Sequence, residues 1–121
     1  MEIKTGYFAK LTTYKALGYT PIAVVASIPK WYQGLSLPAV APTWDLVDRY
    51  KKGIITPSEY KEEYVDYLSS VDLNSVVATL QKLERVVLLC YEKPGDFCHR
   101  HLLAEKLSEV SGLNIHELYV Q

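Results

Sequence analysis

Both cysteines of the chain and two of its three histidines lie in the stretch LLCYEKPGDFCHRHLLAEKL, residues 88–107. Cys90 ends an apolar run, and Cys98, His99 and Arg100 follow after seven intervening residues. Thiols, imidazoles and a guanidinium in one segment can support nucleophilic catalysis, metal binding, a disulfide or the binding of an anion. The spacing of these residues and the elements around them favour some of these chemistries over others.

The segment is predicted to connect a buried strand to a helix. The stretch RVVLLCY, residues 85–91, predicts a central parallel strand, because its apolar run has no polar alternation. Residues 93–95, Lys-Pro-Gly, indicate a turn, and Asp96 is expected to cap the helix that follows. The helical pattern runs over about 98–111 and ends at a glycine.

The start of that helix is a favourable place for negative charge, because first-turn N–H groups are unpaired and carry the positive end of the helix dipole. We therefore expect an anion site there, reinforced by Arg100. The same position stabilises a thiolate, so Cys98 is the candidate nucleophile and His99 its proton carrier. Glu92 is a candidate general acid or base, and Cys90 is expected to line the floor.

Other interpretations of the segment are disfavoured or stay open. Zinc is disfavoured because the spacing fits no common structural zinc pattern, so we expect no metal. The phosphate loop of cysteine phosphatases needs five residues between Cys and Arg, whereas Arg100 lies ten residues after Cys90 and two after Cys98. A purely structural role stays open, since buried cysteines act as small hydrophobic side chains and Arg100 can pair with a carboxylate.

The composition is that of one soluble globular domain over residues 1–121, with 49% hydrophobic and 22% charged residues. The net charge of −1 gives no indication of nucleic-acid binding. No apolar run approaches the roughly 20 residues that span a bilayer, and residues 1–4 lack the layout of a signal peptide. We therefore expect a cytoplasmic protein with reduced thiols, which argues against a Cys90–Cys98 disulfide.

Strand and helix patterns alternate along the rest of the chain. Strands are predicted over residues 2–8, 19–27, 85–91 and 114–120. Helices are predicted from the caps Thr43 and Thr56 and from Asp72 or Asn74, in addition to the helix over about 98–111. This alternation predicts an α/β fold, a single three-layer domain with a small, mostly parallel sheet flanked by helices. In such sheets ligands bind beyond the carboxyl ends of the strands.

An irregular stretch over residues 28–44 follows the second strand and carries three prolines and two tryptophans. Trp31 and Tyr32 are candidates for stacking on a flat ligand, with Lys30 near a phosphate, and Tyr7 is a candidate for the same pocket. The alternative is that these aromatic side chains only anchor the loop. Trp44 is expected to be a core anchor, and His116 a structural histidine.

These residues resemble the signature of the DUF488 family of small proteins without a settled activity. The matching motifs are Leu88-Leu89-Cys90, Pro94, Cys98-His99-Arg100 and Leu102-Leu103-Ala104-Glu105, and in the first half of the chain GYFAKL, PKWY and APTWDLVDRYK. The resemblance implies an α/β sandwich with a pocket at the Cys-His-Arg loop. Many family members carry an arginine after the second strand, where this chain has Lys30, a point charge without a bidentate fork.

Together, these observations predict an enzyme that acts on a nucleotide-like or other anionic small molecule through the Cys-His-Arg loop. No cofactor and no membrane partner are expected. The alternative is a non-catalytic module that binds a nucleotide or another anion, or docks on a protein. The substrate, the reaction and the oligomeric state do not follow from the sequence.

Overall fold

The computed structural model describes residues 1–93 and 97–121. The strands are β1 (Glu2–Tyr7), β2 (Thr20–Ala23), β3 (Leu35–Ser36), β4 (Arg85–Cys90) and β5 (His116–Glu117). The helices are α1 (Leu11–Ala16), α2 (Trp44–Lys51), α3 (Pro57–Ser69), α4 (Leu73–Gln81) and α5 (His99–Ser111), with 3-10 turns at Phe8–Lys10 and Pro38–Val40. None of these helices is both long and apolar enough to cross a bilayer.

The five strands form one sheet in the order β3-β2-β4-β1-β5, and each neighbouring pair is parallel. The predicted α/β class and parallel sheet are therefore confirmed. β4 is central, as its unbroken apolar run indicates, and it pairs with β1 on one side and β2 on the other. The register sets Tyr7 opposite Cys90 and Ala23 opposite Leu89, so the carboxyl ends of the three strands meet at one edge.

Apolar side chains fill both faces of the sheet, because successive residues of a strand point in opposite directions. Val86 and Leu88 of β4 belong to a core shared with α3, α4 and α5. Val87 and Leu89 belong to a second core with Tyr14 of α1 and Tyr32. Each fully buried side chain of this size contributes about 1.5–3 kcal/mol to folding.

The predicted helix boundaries depend on local capping, and most are confirmed. Thr43 and Thr56 cap α2 and α3 with their side chains, and Thr56 forms the complete capping box with Glu59. Asp72 caps α4, and Gly112 ends α5 in the left-handed region at φ +73°.

Several elements differ from the sequence prediction. α1 had no counterpart in the sequence prediction, because it is short and begins without a side-chain cap. The last strand covers only His116–Glu117 of the predicted range 114–120, and the second strand ends at Ala23, short of the predicted range 19–27. α5 begins at His99 with Cys98 as its N-cap residue, whereas the predicted turn at 93–95 and cap at Asp96 extend outside the described residues.

Candidate functional site

Two elements bring the two cysteines to one point. Cys90 is the last residue of β4, and Cys98 immediately precedes α5, which packs on the sheet. Both thiols are free and buried, at 2% and 4% exposure. His99 Nδ1 lies 3.7 Å from Cys90 Sγ and 3.9 Å from Cys98 Sγ. The structure thus places an imidazole nitrogen between the two sulfurs at the strand edge where parallel sheets bind ligands.

The orientation of the His99 ring is set by a backbone group of a neighbouring chain segment. His99 Nε2 is hydrogen-bonded to the carbonyl oxygen of Val24, directly after β2. A carbonyl can only accept, so Nε2 carries the hydrogen and donates it. In the neutral imidazole the other nitrogen, Nδ1, is then an acceptor that faces the thiols. The Tyr64 ring packs edge-on against His99 at 5.5 Å and fixes the ring from its other side.

Cys98 lies where its thiolate is stabilised. Burial raises the pKa of the Cys98 thiol, but the neighbouring Cys90 thiol and the His99 imidazole outweigh burial and lower the pKa to about 5. Cys98 is therefore ionised at neutral pH, when an ordinary thiol with a pKa of about 8.5 is mostly protonated.

Cys90 behaves in the opposite way. The Cys98 sulfur, burial and the Glu92 carboxylate raise the pKa of Cys90 far above the ordinary range. The Cys90 thiol donates to Glu92 Oε2 at 3.0 Å. Burial raises the pKa of Glu92, but hydrogen bonds from the two cysteines offset this and leave it below its ordinary value. One protonated sulfur thus lies between two negatively charged groups.

These groups line a cavity of about 100 Å³ at the end of the sheet. The lining residues are Val25, Ala26, Ser27, Pro42, Trp44, Val47, Tyr50, Lys51, Tyr60, Cys90, Tyr91, Glu92, Phe97, Cys98 and His99. Most of the wall is aromatic or aliphatic, and Phe97 packs against Tyr50 and Tyr60 at 5.2 and 5.3 Å. Among the described lining residues, Lys51 is the one lysine or arginine.

Arg100 lies in a different environment from the one we expected. Its side chain is fully buried, and Nε and Nη2 each donate to a Glu117 carboxylate oxygen at 3.1 Å. Nη1 donates to the carbonyl oxygen of Glu92 at 2.6 Å, and Thr5 donates to Glu117 at 2.7 Å. Burial lowers the pKa of Arg100, but the bonds to Glu117 more than offset this and hold it above its ordinary value. The guanidinium therefore holds the fold together and is not directed at the cavity.

Trp31 and Tyr32 of the irregular stretch lie outside the described lining of the cavity, although Pro42 and Trp44 of the same stretch belong to it. The Tyr32 hydroxyl donates to the carbonyl oxygen of Leu35 at 2.6 Å, so Tyr32 anchors the loop, which was the alternative interpretation. Trp31 is 60% exposed and packs edge-on against Phe8 at 5.9 Å. Lys30 is exposed and Tyr7 is half-buried, and neither belongs to the described lining of the cavity.

Several site features were missed or misplaced at the sequence level. Trp44 is not a core anchor, because it is 59% exposed and lines the cavity. Tyr60 follows the core pattern of α3 and yet forms part of the wall, so helical periodicity could not separate the two roles. Phe97 could have been predicted as part of the site, since it directly precedes Cys98 in the sequence. His116 is exposed, and its ring nitrogen lies 3.3 Å from Lys4 Nζ.

The two cysteines and His99 could also hold a metal ion. Cys90 Sγ, Cys98 Sγ and His99 Nδ1 all lie within 4.8 Å of one another. Soft thiolates together with an imidazole are ligands that suit zinc and related ions. The spacing along the sequence had argued against this set, because Cys98 and His99 are adjacent.

The chain was compared with known families and proteins. A family model described as the active DUF488-N3 subclade matches residues 16–111, a range that contains β2, β4, α5 and every cysteine and histidine of the cavity. No curated protein and no solved structure matches the chain. The match covers well over half of the sequence, so the chain belongs to the DUF488 family, in its DUF488-N3 subclade.

Proposed function

We propose that the protein is an enzyme that acts on an anionic, nucleotide-like small molecule, with Cys98 as its nucleophile. The observation that carries the proposal is the placement of His99, whose Nε2 is held by the Val24 carbonyl and whose Nδ1 faces Cys98 Sγ at 3.9 Å. A nucleophile beside a base that a third group orients is the common arrangement of covalent catalysis.

The groups of the cavity that can take up or release a proton support a covalent step. In this step Cys98 Sγ, whose proton has passed to His99 Nδ1, forms a bond to an electrophilic atom of the ligand, and the leaving group departs with its electron pair and takes that proton from Nδ1. Water then displaces the sulfur and gives its proton to the Glu92 carboxylate, from which the proton returns to His99. Cys98 is regenerated as the thiolate.

The volume of the cavity supports a ligand of which only one end enters the cavity. Its volume of about 100 Å³ is smaller than the roughly 150 Å³ cavity that accommodates benzene. The reacting group therefore fits inside, and the rest of the molecule lies at the mouth. Trp44 and Tyr50 offer aromatic surface there for a base, and Lys51 offers a positive charge for a phosphate or carboxylate.

The alternative is a module that binds such a ligand, or a protein, without reacting with it. The exposed Trp44 favours it, because binding needs the aromatic wall but no ionised thiol.

The decisive experiment measures the rate of Cys98 alkylation by iodoacetamide between pH 4 and 9, with the labelled residue identified by peptide mapping. We expect a rate that reaches half its maximum near pH 5 and a Cys90 that stays unlabelled until the protein is unfolded. A half-maximum at or above about pH 8.5 would remove the nucleophilic role.

Native mass spectrometry of the wild type and of Cys98→Ser, purified from cells, then separates the two candidate functions. An enzyme gives a covalent adduct or a converted ligand with the wild type only. Equal, unreacted binding of the same ligand by both proteins favours the binding module.

A further inference from the structure

The Cys90 sulfur has no covalent role in the proposed reaction, although it lies as close to His99 Nδ1 as the sulfur of the nucleophile does. Cys90 Sγ and Cys98 Sγ lie within 4.8 Å of each other, and neither is in a disulfide. The two sulfurs come from separate elements, the end of β4 and the residue before α5. At this separation, small side-chain movements bring two sulfurs into bonding distance.

The two cysteines differ in their polar neighbours. Cys90 Sγ donates to Glu92 Oε2 at 3.0 Å, and Cys98 Sγ lies 3.9 Å from His99 Nδ1. Thiolate character determines which cysteine an oxidant attacks first. A second thiol beside a carboxylate can give up its proton when it attacks in turn. The pair thus contains an attacking sulfur and a resolving sulfur.

Access to the sulfurs is limited by size. Both cysteines are buried, but both line the cavity of about 100 Å³ that opens at the sheet edge. A hydroperoxide as small as hydrogen peroxide fits this space, together with the water that its reduction releases. A bulky aromatic disulfide does not fit between Phe97, Tyr60 and Trp44.

We propose that Cys90 and Cys98 form a site of reversible oxidation, in which a small hydroperoxide oxidises Cys98 and Cys90 resolves the product to an intramolecular disulfide. The proposal rests on the Cys98 thiolate of the proposed function and adds a role for Cys90. Oxidation would remove the nucleophile and protect it from irreversible sulfinic and sulfonic acids.

The chemistry balances in two steps. Cys98 Sγ, whose proton has passed to His99 Nδ1, attacks the hydroperoxide. The O–O bond breaks, sulfenic acid forms, and the leaving oxygen takes that proton from Nδ1. Cys90 then gives its proton to Glu92 and attacks Cys98 Sγ, so that the S–S bond forms and hydroxide leaves with that proton as water. The two sulfurs supply the two electrons that reduce the peroxide, and a small thiol such as glutathione restores both thiols.

The test treats the whole chain with one equivalent of hydrogen peroxide, unfolds it, blocks free thiols with N-ethylmaleimide and measures the intact mass. We expect the wild type to lose about 2 Da, to take up no maleimide and to recover two reactive thiols after treatment with dithiothreitol. Peptide mapping should find Cys90 joined to Cys98. On a non-reducing gel the oxidised protein should migrate as a monomer.

Two variants identify the roles of the two sulfurs. Cys90→Ser should accumulate sulfenic acid at Cys98, which dimedone traps, and should progress to the sulfinic acid with excess peroxide. Cys98→Ser should consume peroxide at least tenfold more slowly than the wild type. If Cys90→Ser does not fold, Cys90→Ala replaces it, and the wild-type mass measurement stands by itself.

The outcomes distinguish this inference from the proposed function. If iodoacetamide labels Cys98 at pH 6 but peroxide gives a dimedone adduct and no disulfide in the wild type, the inference is wrong and the nucleophile remains. A disulfide between two chains also overturns it. If Cys98 reacts with neither reagent, both proposals are wrong.

Discussion

His99 and Arg100 are adjacent in the sequence, but their side chains belong to two regions with different chemistry. His99 faces the sulfurs of the cavity, whereas Arg100 lies in a buried network with Glu117, Thr5 and the Glu92 carbonyl oxygen. Arg100 is paired with Glu117 in the network, whereas on the cavity side the pKa of the Cys98 thiol is lowered. A charged residue beside a reactive one therefore contacts a ligand only if the fold has not already given it a partner.

The largest expected effect comes from breaking the network. Arg100→Met leaves the Glu117 carboxylate buried without its partner, so we expect a loss of about 3–5 kcal/mol in the free energy of unfolding, measured by urea denaturation. The matched double variant Arg100→Met/Glu117→Leu should recover most of that loss. A stable Arg100→Met protein that has only lost ligand binding would instead place Arg100 in the binding site.

A smaller effect is expected on the cavity side. Removing the His99 imidazole takes away one stabilising partner of the thiolate, so His99→Gln should raise the pKa of Cys98 by about one to three units. Alkylation of Cys98 at pH 6 should then slow by about twofold for a rise of one unit and by about 90-fold for a rise of three units. His101→Gln is the matched control, because His101 lies in the same helix and outside the described lining. Equal rates in wild type and His99→Gln would contradict the proposed pair.

The pH dependence of stability offers a third comparison. The pKa of Cys98 is lower in the folded than in the unfolded protein, so its contribution is largest above the unfolded value and is lost as pH falls towards about 5. Relative to Cys98→Ser, the wild type should gain at most about 1.4 kcal/mol per pH unit between pH 5 and 8. Thermal unfolding of both proteins at pH 6 and 8 measures this, and parallel curves would argue against a buried thiolate.

The smallest effect is expected at Tyr32, in the irregular stretch that follows β2. Tyr32→Phe removes the hydrogen bond to the Leu35 carbonyl oxygen and should cost about 0.5–1.5 kcal/mol of stability. Because Tyr32 lies outside the described lining, the rate of Cys98 alkylation should stay within twofold of the wild type. A large change in that rate would mean that the loop contributes to the site after all.

Local signals in the sequence predicted the parts of the fold that depend on local physics. The apolar run of β4 and the caps Thr43 and Thr56 specify their elements within a few residues, and the structure agrees. The partner of Arg100 could not be predicted, because Glu117 reaches it only through the pairing of β5 with β1. The cavity wall was missed for the same reason, since Tyr50 and Phe97 meet only after α2 and α5 have packed.

The bond from His99 to the Val24 carbonyl means that one determinant of the site is carried by backbone and not by a side chain. Any amino acid at position 24 provides the same carbonyl oxygen, so substitutions there need not change the tautomer of the imidazole. A comparison of relatives by residue identity would pass over this position. Replacing the amide between residues 24 and 25 by an ester would weaken the acceptor without altering any side chain, and would show how much the ring depends on it.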